Sequence, residues 1–319
     1  MKRKISVNSL LKMIDSEVLK TIAIETNVDY KSKKLSGEIV FKLLMMSILD
    51  NTKISLRIME KTFSNSLFKL FSGVDKEETI KYNSISERLT SINCSYFEEI
   101  YKHVFQLSTK YFTNEVDEYC IRQFDSTSLT ISSKLLKKGM VNGLKNKKGE
   151  HHKNQIKFTV GLLNNLPDIV NFYNEQKYLG EDLTLSQTIL ESVIDKNEVV
   201  VFDRGLKKRT VFKKFNEKNI LFVTRINPTK SIKVIEQNPL DKNSETETLK
   251  LISDEKVNLY HEKKILLKEP FRLIKSQSKK TSEEIYFLTN IQDLKAYEIT
   301  EIYKKRLKSF FISFVFEDQ

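Results

Sequence analysis

The chain has 319 residues and carries 54 Lys and Arg against 42 Asp and Glu, which gives a formal net charge of +12 and a pI near 9.3. Its hydrophobic fraction of 39% and charged fraction of 30% argue against a disordered or fibrous chain. The length allows about two or three domains. A cationic surface attracts phosphate backbones or anionic membranes, although a Lys-rich composition can also follow from an AT-rich genome.

The cysteine, histidine and apolar content argues against disulfide-rich, zinc-binding, secreted and membrane proteins. Cys94 and Cys120 are too few for a disulfide framework or a zinc cluster, so we expect two reduced thiols in a cytosolic protein. His151 and His152 have no other Cys or His near them in the sequence, which argues against zinc. The apolar run 39–49 is interrupted by a lysine and is too short to cross a bilayer, and the basic N-terminus lacks the apolar core of a secretion signal. We therefore expect a cytoplasmic protein with no membrane partner.

Residues 1–115 carry a helical pattern. Apolar residues recur every three or four positions over most of this region, and it contains no proline. In the stretch 84–112, Ser84 or Ser86 is the predicted N-cap, because Glu87 follows Ser84 by three residues as in a capping box. The sequence therefore predicts an all-helical N-terminal region.

From residue 116 the pattern changes to alternating strands and helices. Predicted strands cover 118–133, 198–205, 219–227 and 284–290, and a predicted hairpin joins 156–163 to 168–175. Predicted helices cover 181–196, 207–218 and 294–308. The basic segment 134–155 is predicted to be a loop, and 228–283 is predicted to be a polar, β-rich insertion. This order predicts an α/β fold with a mixed sheet.

Two aspartates lie within or at the end of predicted strands. Asp125 follows CIRQF, and Asp203 follows VVVF and precedes Arg204-Gly205. A carboxylate at the end of an apolar strand costs desolvation unless something binds it, although either one alone could be a turn or cap residue. Carboxylates from different strands can converge on Mg²⁺, and a pair of such ions can clamp the attacking and leaving oxygens of a phosphodiester. That chemistry normally uses a third carboxylate.

Several segments, in order, resemble the DDE transposases of bacterial insertion sequences. They are ISLRIME and SISERLTSI, then IRQFDSTSL, then VVFDRGLKKRTVFKKFNEKNILFVTRIN, and finally IYFLTNIQDLKAYEITEIYKKR. The resemblance covers most of residues 35–308 and is to the group whose last acid lies in a Tyr-x2-Arg-x3-Glu-x6-Lys helix. It implies a ribonuclease H-like mixed sheet flanked by helices, with an all-α N-terminal region and a β-rich insertion.

The resemblance also implies a domain organisation and an activity. Residues 1–115 would bind DNA or dimerise, 116–227 would form the first part of the catalytic core, 228–283 the insertion, and 284–319 the incomplete end of the core. The expected activity is Mg²⁺- or Mn²⁺-dependent cleavage and strand transfer on double-stranded DNA, with two ions in a complete site. The expected DNA partners are the terminal repeats of the element and the target. The resemblance further implies a homodimer in the active complex and a nucleoid-associated protein in a bacterial cytoplasm.

Roles for individual residues follow from the same resemblance. Asp125 and Asp203 would hold the metal ions. Tyr303 and Arg306 would contact DNA phosphate or organise the site, and Arg225 would contact DNA near it, although Arg225 could equally be an exposed charge at a strand end.

Two basic segments are further candidates for DNA contact. One includes Lys147 and Lys148 in the predicted loop, and the other includes Lys207 and Lys208 after Asp203. Both would contact the DNA backbone, unless they are simply solvated charge runs.

The third acid of the pattern is missing. Counted from Tyr303, the pattern requires Glu at 310 and Lys at 317, but the chain has Phe310 and Glu317. Glu317 lies seven residues too far along, about 10 Å on a helix, to replace the missing ligand. We expect an inactive or impaired enzyme, and we interpret the departure as a frameshift near codons 307–310, with true divergence and programmed frameshifting as alternatives.

Two other functions remain open at this point. One is a truncated, non-catalytic DNA-binding protein that regulates or inhibits a full-length transposase. The other is an RNA-binding protein, which only the charge suggests, because no aromatic RNA-stacking motif is present.

Overall fold

The structure is a computed structural model that describes residues 14–51, 53–112, 120–131, 139–145, 151–163, 166–192, 198–227, 232–240, 245–261 and 265–313. Within these ranges, side chains are not described for 109–112, 142–145, 151–153, 181–182 and 306–313. The chain divides into two compact units, with the boundary between Tyr111 and Phe112.

The first unit is all-helical over its described residues. Its helices are α1 (Ser16–Glu25), α2 (Gly37–Asp50), α3 (Leu56–Phe63), α4 (Ser66–Ser72), α5 (Tyr82–Ser91) and α6 (Ser95–Phe112). The side chains of Ser36, Ser55 and Asn65 accept hydrogen bonds from backbone N–H groups of the first turns of α2, α3 and α4. The expected all-α N-terminal region is confirmed over this part of the chain.

The predicted N-cap at Ser84 or Ser86 is wrong. Helix α5 begins at Tyr82, so its N-cap is Lys81, which precedes Ser84 by three residues. The side chain of Lys81 makes no capping hydrogen bond. The backbone N–H of Tyr82 instead donates to Glu60 Oε2 on α3, at 3.1 Å. A contact between two helices therefore replaces the local capping box.

Helix packing in this unit buries a single apolar cluster. Its largest fully buried members are Phe63, Phe68, Tyr96, Leu19 and Leu43. Each such side chain contributes about 1.5 to 3 kcal/mol by leaving water.

The second unit is built on one large sheet. Its strands are β1 (Cys120–Ile131), β2 (Met140–Lys145), β3 (His151–Leu163), β4 (Leu166–Tyr173), β5 (Glu198–Phe202), β6 (Leu221–Ile226), β7 (Ile232–Asn238), β8 (Leu249–His261), β9 (Ile265–Leu266), β10 (Phe271–Ser278) and β11 (Glu284–Thr289). Its helices are α7 (Glu181–Ser192), α8 (Thr210–Glu217) and α9 (Ala296–Ser313), with a 3₁₀ turn at Gln176–Leu179.

The strand order of the first half is ribonuclease H-like. Strand β1 pairs antiparallel with β3, and β3 pairs antiparallel with β4. On its other side β1 pairs parallel with β5, and β5 pairs parallel with β6. In the resulting order, β4-β3-β1-β5-β6, the parallel pairing of β1, β5 and β6 ends at one level, at Phe124, Phe202 and Thr224, and β1 continues beyond it beside β3.

The insertion continues the same sheet. Strand β11 pairs with β6, and beyond it the order is β10, β8 and β7, with every added pair antiparallel. The expected β-rich insertion is therefore confirmed, and it forms one sheet with the core.

Helices cover both faces of this sheet. Side chains of α7 and α8, including Ile189 and Phe212, pack with Phe124 and Phe202 on one face. Side chains of α9, including Ile299 and Ile302, pack with strand residues such as Val201 on the other face. The mixed α/β fold with helices on both faces of its sheet is thus as expected.

The predicted loop 134–155 is wrong over its described residues. Met140–Lys145 and His151–Gln155 form an antiparallel pair of strands with a register shift. Lysine, asparagine and histidine on strands at the border of a sheet hide the apolar alternation that identifies a strand.

Candidate active site

The parallel pairing of β1 and β5 brings Asp125 and Asp203 to the same level. Phe124 and Phe202 are Cα partners in this ladder, and each aspartate is the next residue. Neighbouring strands lie about 4.8 Å apart, so the two aspartates lie side by side, Asp125 within β1 and Asp203 just after the end of β5. Both are half-buried.

The two aspartates also share a face of the sheet. Phe124 and Phe202 point into the cluster beneath α7 and α8. Because successive side chains of a strand alternate between faces, Asp125 and Asp203 are directed towards the face that α9 covers. This alternation follows from the sequence, but the alignment of the two strands does not.

Several hydrogen bonds hold Asp203 at the strand end. Its Oδ1 accepts hydrogen bonds from the hydroxyl of Tyr303 at 3.2 Å and from the backbone N–H of Arg204 at 2.8 Å. Its carbonyl oxygen accepts from the backbone N–H of Gly205 at 2.7 Å in a tight turn. Two donors to one carboxylate oxygen fix the orientation of the carboxylate.

Tyr303 lies inside the protein. It is only 3% exposed, and its ring packs edge-on against Phe287, with the ring centroids 5.2 Å apart. The hydroxyl meets Asp203 instead of projecting into solvent. Of the two roles that the resemblance implies, the contacts of Tyr303 are those of a residue that organises the site.

Helix α9 extends further than the sequence predicts. It runs without a break to Ser313, so the backbone of Arg306 and Phe310 is helical, whereas their side chains lie outside the described residues. The side-chain amide of Gln123 on β1 donates to the carbonyl oxygen of Lys305 at 3.4 Å. Phe310 lies two turns, about 10 Å, beyond Tyr303 along the axis. Glu317 lies outside the described residues.

Arg225 lies at the same level as the aspartates. Thr224 on β6 is the Cα partner of Phe202, so Arg225 follows it beside Asp203. The guanidinium is mostly buried and reaches to 3.9 Å from Glu283. Arg225 is therefore not an exposed charge at a strand end, which the sequence left open as an alternative to DNA contact.

The basic residues after Asp203 lie in a turn. Lys207 and Lys208 are exposed and precede α8, so the predicted helix 207–218 is wrong over its first three residues. Lys147 and Lys148 lie outside the described residues.

Arg209 at the start of α8 is a residue that the sequence did not single out. It is half-buried beside the ring of Phe212, 6.0 Å from its centroid, and burial lowers its pKa. Nothing in the local residue pattern distinguishes it from the three other cations in this turn.

The chemistry of the two aspartates suits a divalent cation. Mg²⁺ keeps several waters and is often bound by one or two carboxylates together with substrate phosphates. Asp125 and Asp203 supply two such carboxylates, so this donor set fits. Among the residues whose side chains are described, no group of three or more His, Cys, Asp or Glu could hold a metal ion.

Comparisons with known proteins find little similarity. No protein-family model and no curated protein matches the sequence. Among solved structures, the fold is similar to the piggyBac transposase in a synaptic complex with hairpin DNA, with 9% identity and a TM-score of 0.40. The match covers 92% of this chain and 62% of that chain, so the present chain spans less than two thirds of it. Across the described ranges, every helix is too short or too polar to cross a membrane.

Proposed function

We propose that this protein acts on DNA as a DDE-type transposase of an insertion sequence, or as an impaired descendant of one. The observation that carries the proposal is the level placement of Asp125, within β1, and Asp203, just after β5, where the parallel pairing of the two strands ends. The ribonuclease H-like strand order and the net charge of +12 support it. The substrate would be double-stranded DNA at the ends of the element and at its target, bound by a homodimer.

Each residue of the site has a chemical role in this proposal. Asp125 and Asp203 would provide oxygen ligands for Mg²⁺ or Mn²⁺. Two such ions would activate the attacking oxygen and stabilise the leaving oxygen of a phosphodiester. Tyr303 and the N–H of Arg204 would keep the Asp203 carboxylate in one orientation, which reduces the reorganisation needed for binding.

Cationic side chains around the aspartates would hold the DNA. Lys207 and Lys208 are exposed in the turn after Asp203 and can contact the phosphate backbone. Arg225 would approach DNA from the neighbouring strand, and Arg306 and the pair Lys147 and Lys148 remain proposed contacts on grounds of sequence alone.

Phe310 limits the activity that we expect. A phenyl ring offers no oxygen ligand at the position where the family pattern has glutamate, and it cannot balance metal charge. We therefore propose that the chain binds DNA but cleaves it slowly or not at all. A second function is favoured by the same residue: a DNA-binding protein that occupies element ends and regulates an active transposase.

The experiment compares Phe310→Glu with Phe310→Gln in the full chain. Mn²⁺ binding is measured by calorimetry, and nicking is measured on plasmid DNA carrying the element ends. If Phe310 stands at the third ligand position, Phe310→Glu binds Mn²⁺ at least about tenfold more tightly than Phe310→Gln, and it gains nicking activity. Asp203→Asn in the Phe310→Glu background abolishes both gains, whereas Asp293→Asn, at an exposed position, changes neither.

Two results would decide against parts of the proposal. Equal Mn²⁺ affinity of the Glu and Gln variants would reject the assignment of position 310. Unchanged Mn²⁺ binding in Asp125→Asn and Asp203→Asn would reject the site itself. If element ends bind tightly while every variant fails to nick, the regulatory function is the one that stands.

A further inference from the structure

The helical unit contains a groove far from the aspartates in sequence. It has a volume of about 860 Å³ and lies between the segment 26–35, which joins α1 to α2, and residues 79–93, which include α5. We call it the lysine groove, because four lysines line it: Lys31, Lys33, Lys34 and Lys81. Glu87 is the one carboxylate among its described lining residues.

A partly buried arginine shapes one wall of the lysine groove. Arg88 on α5 donates to the carbonyl oxygens of Leu35 and Val28, each at 2.8 Å, and lies 3.3 Å from Asp29 Oδ1. Asp29 also accepts from the backbone N–H of Gly37 at 2.6 Å. The backbone of the segment that carries three of the four lysines is thus tied at several points to α5 and α2.

The positive charge of the lysine groove is only weakly offset. Lys34 lies 3.5 Å from Glu78, and Lys81 lies 3.6 Å from Glu60, but both lysine side chains are largely exposed. Exposed ion pairs of this kind contribute about 0 to 1 kcal/mol and are readily exchanged for another anion. The ammonium of Lys31 lies over the ring of Tyr30, 5.0 Å from its centroid.

Neutral hydrogen-bonding groups lie between these cations. Ser84 and Ser91 are exposed on α5, and Asn27 and Asn93 are exposed at the ends of the two walls. Tyr30 is 66% exposed at the rim. Lysine, hydroxyl, amide and phenol groups are the side chains that proteins use to contact phosphate and sugar oxygens along DNA.

We propose that the lysine groove binds the sugar-phosphate backbone of double-stranded DNA. The groove residues indicate a polyanion, and the choice of DNA as that polyanion rests on the proposed function. A repeating phosphate chain fits a groove in which both walls carry cations and neutral hydrogen-bonding groups. An acidic protein segment would present fewer acceptors for the hydroxyl and amide groups, and it is tested as the other outcome.

The first experiment measures how DNA affinity depends on salt. The full chain is titrated with a fluorescein-labelled duplex at several salt concentrations, and fluorescence anisotropy reports binding. In the test variant three groove lysines are neutralised: Lys31→Gln, Lys33→Gln and Lys34→Gln. In the matched control three exposed lysines of the same unit outside the groove are neutralised: Lys53→Gln, Lys61→Gln and Lys102→Gln.

The slope of log affinity against log salt falls by about 0.9 for each phosphate contact that is lost. We expect the test variant to lose about 2 to 3 units of slope and at least about tenfold in affinity near physiological salt, and the control to lose less than about 1 unit. Equal losses in the two triple variants would overturn the proposal.

A variant that gains DNA affinity is a useful second test, because a variant that fails to fold can only lose affinity. Glu87→Lys adds a cation inside the groove, and Glu99→Lys adds one on α6 outside it. We expect Glu87→Lys to tighten DNA binding severalfold more than Glu99→Lys. The same response to both changes, or tight binding of polyglutamate but not of DNA, would overturn the proposal.

The assignment of the lysine groove and the proposed catalytic function can be rejected independently of each other. If the duplex binds and the groove variants match their controls, the groove assignment fails while the proposed function stands. If Asp125 and Asp203 prove to bind no metal while the groove variants lose DNA affinity, the groove assignment stands and the proposed catalytic function fails.

Discussion

The hydroxyl of Tyr303 donates a hydrogen bond to Oδ1 of Asp203, although the two residues lie 100 positions apart in the chain. This bond joins α9 to the end of β5, so the position of the helix and the orientation of the carboxylate depend on each other.

Tyr303→Phe tests this bond with little change in packing. The ring can keep its contact with Phe287, and the loss of the hydroxyl should lower the free energy of unfolding by about 1 kcal/mol. Mn²⁺ binding by calorimetry should weaken as well, because the Asp203 carboxylate loses a hydrogen bond that orients it. Tyr297→Phe, which removes a hydroxyl 3.4 Å from Glu298, serves as the control. Unchanged Mn²⁺ affinity in Tyr303→Phe would show that the bond does not organise the site.

A buried ion triad near the other end of β1 should make stability depend on pH. Arg122 contacts Glu198, with Nη2 and Oε1 2.6 Å apart, and it contacts Asp168 as well. Burial raises the pKa of Asp168 above its usual 3.8, and its Oδ1 accepts no hydrogen bond from any described group.

The sign of this pH effect follows from which state releases its proton first. As pH rises from the ordinary pKa towards the raised one, the unfolded chain ionises first, so this carboxyl lowers stability over that window. We expect the unfolding free energy of wild type minus that of Asp168→Asn to fall as pH rises from about 3.8. Urea unfolding over a pH series measures this difference, with Asp293→Asn as the exposed control; a flat difference would contradict the prediction.

A second buried ion pair should support the start of α9. Nε of Arg272 lies 2.8 Å from Oδ1 of Asp254, and the guanidinium also donates to the carbonyl oxygens of Gln292 and Leu294. Arg272→Leu removes the charged partner of the buried Asp254 carboxylate, to which the amide of Asn238 still donates, and the donor to two carbonyls, so we expect a loss of about 3 to 5 kcal/mol in urea unfolding.

An exposed control variant and a residue-level measurement separate this effect from a general loss of charge. Lys279→Leu, which breaks an exposed pair with Glu245, should cost about 0 to 1 kcal/mol. Hydrogen exchange in Arg272→Leu should rise first at residues 292–303. Protection there that matches wild type would mean that the pair does not hold the helix start.

Arg88→Met should loosen the segment that carries the lysine groove. Two backbone carbonyls lose their charged donor, for an expected cost of about 2 to 3 kcal/mol. Hydrogen exchange should increase at residues 28–35, and DNA affinity should fall although no groove lysine has been removed. Arg57→Met, at an exposed position on α3, is the control. Wild-type exchange in Arg88→Met would show that other contacts suffice.

Local residue patterns predict much of this fold. The run EVVVF (Glu198–Phe202) is fully buried, as expected for a central strand with helices on both faces. The turn residues after Asp203 end that strand as expected. Alternation along a strand also predicts which face each aspartate takes, so half of the site geometry is present in the sequence.

Pairing across the sheet is what local patterns do not contain. The level alignment of Asp125 with Asp203, the burial of Tyr303 and the meeting of Arg122 with Glu198, 76 residues away, depend on strand register. The start of α5 also depends on a contact between distant segments, because the hydrogen bond to α3 outweighs the local capping signal. Register is set by packing between segments that are distant in the chain.

The continuous sheet has a practical consequence for anyone who shortens this protein. Strand β11 pairs with β6 on one side and, over six positions, with β10 of the insertion on the other. Excising residues 228–283 would remove β7 to β10 and leave that whole side of β11 as a bare row of N–H and C=O groups. Such an edge pairs readily with another copy of itself. The trimmed protein should therefore self-associate and precipitate, however well its remaining core is packed.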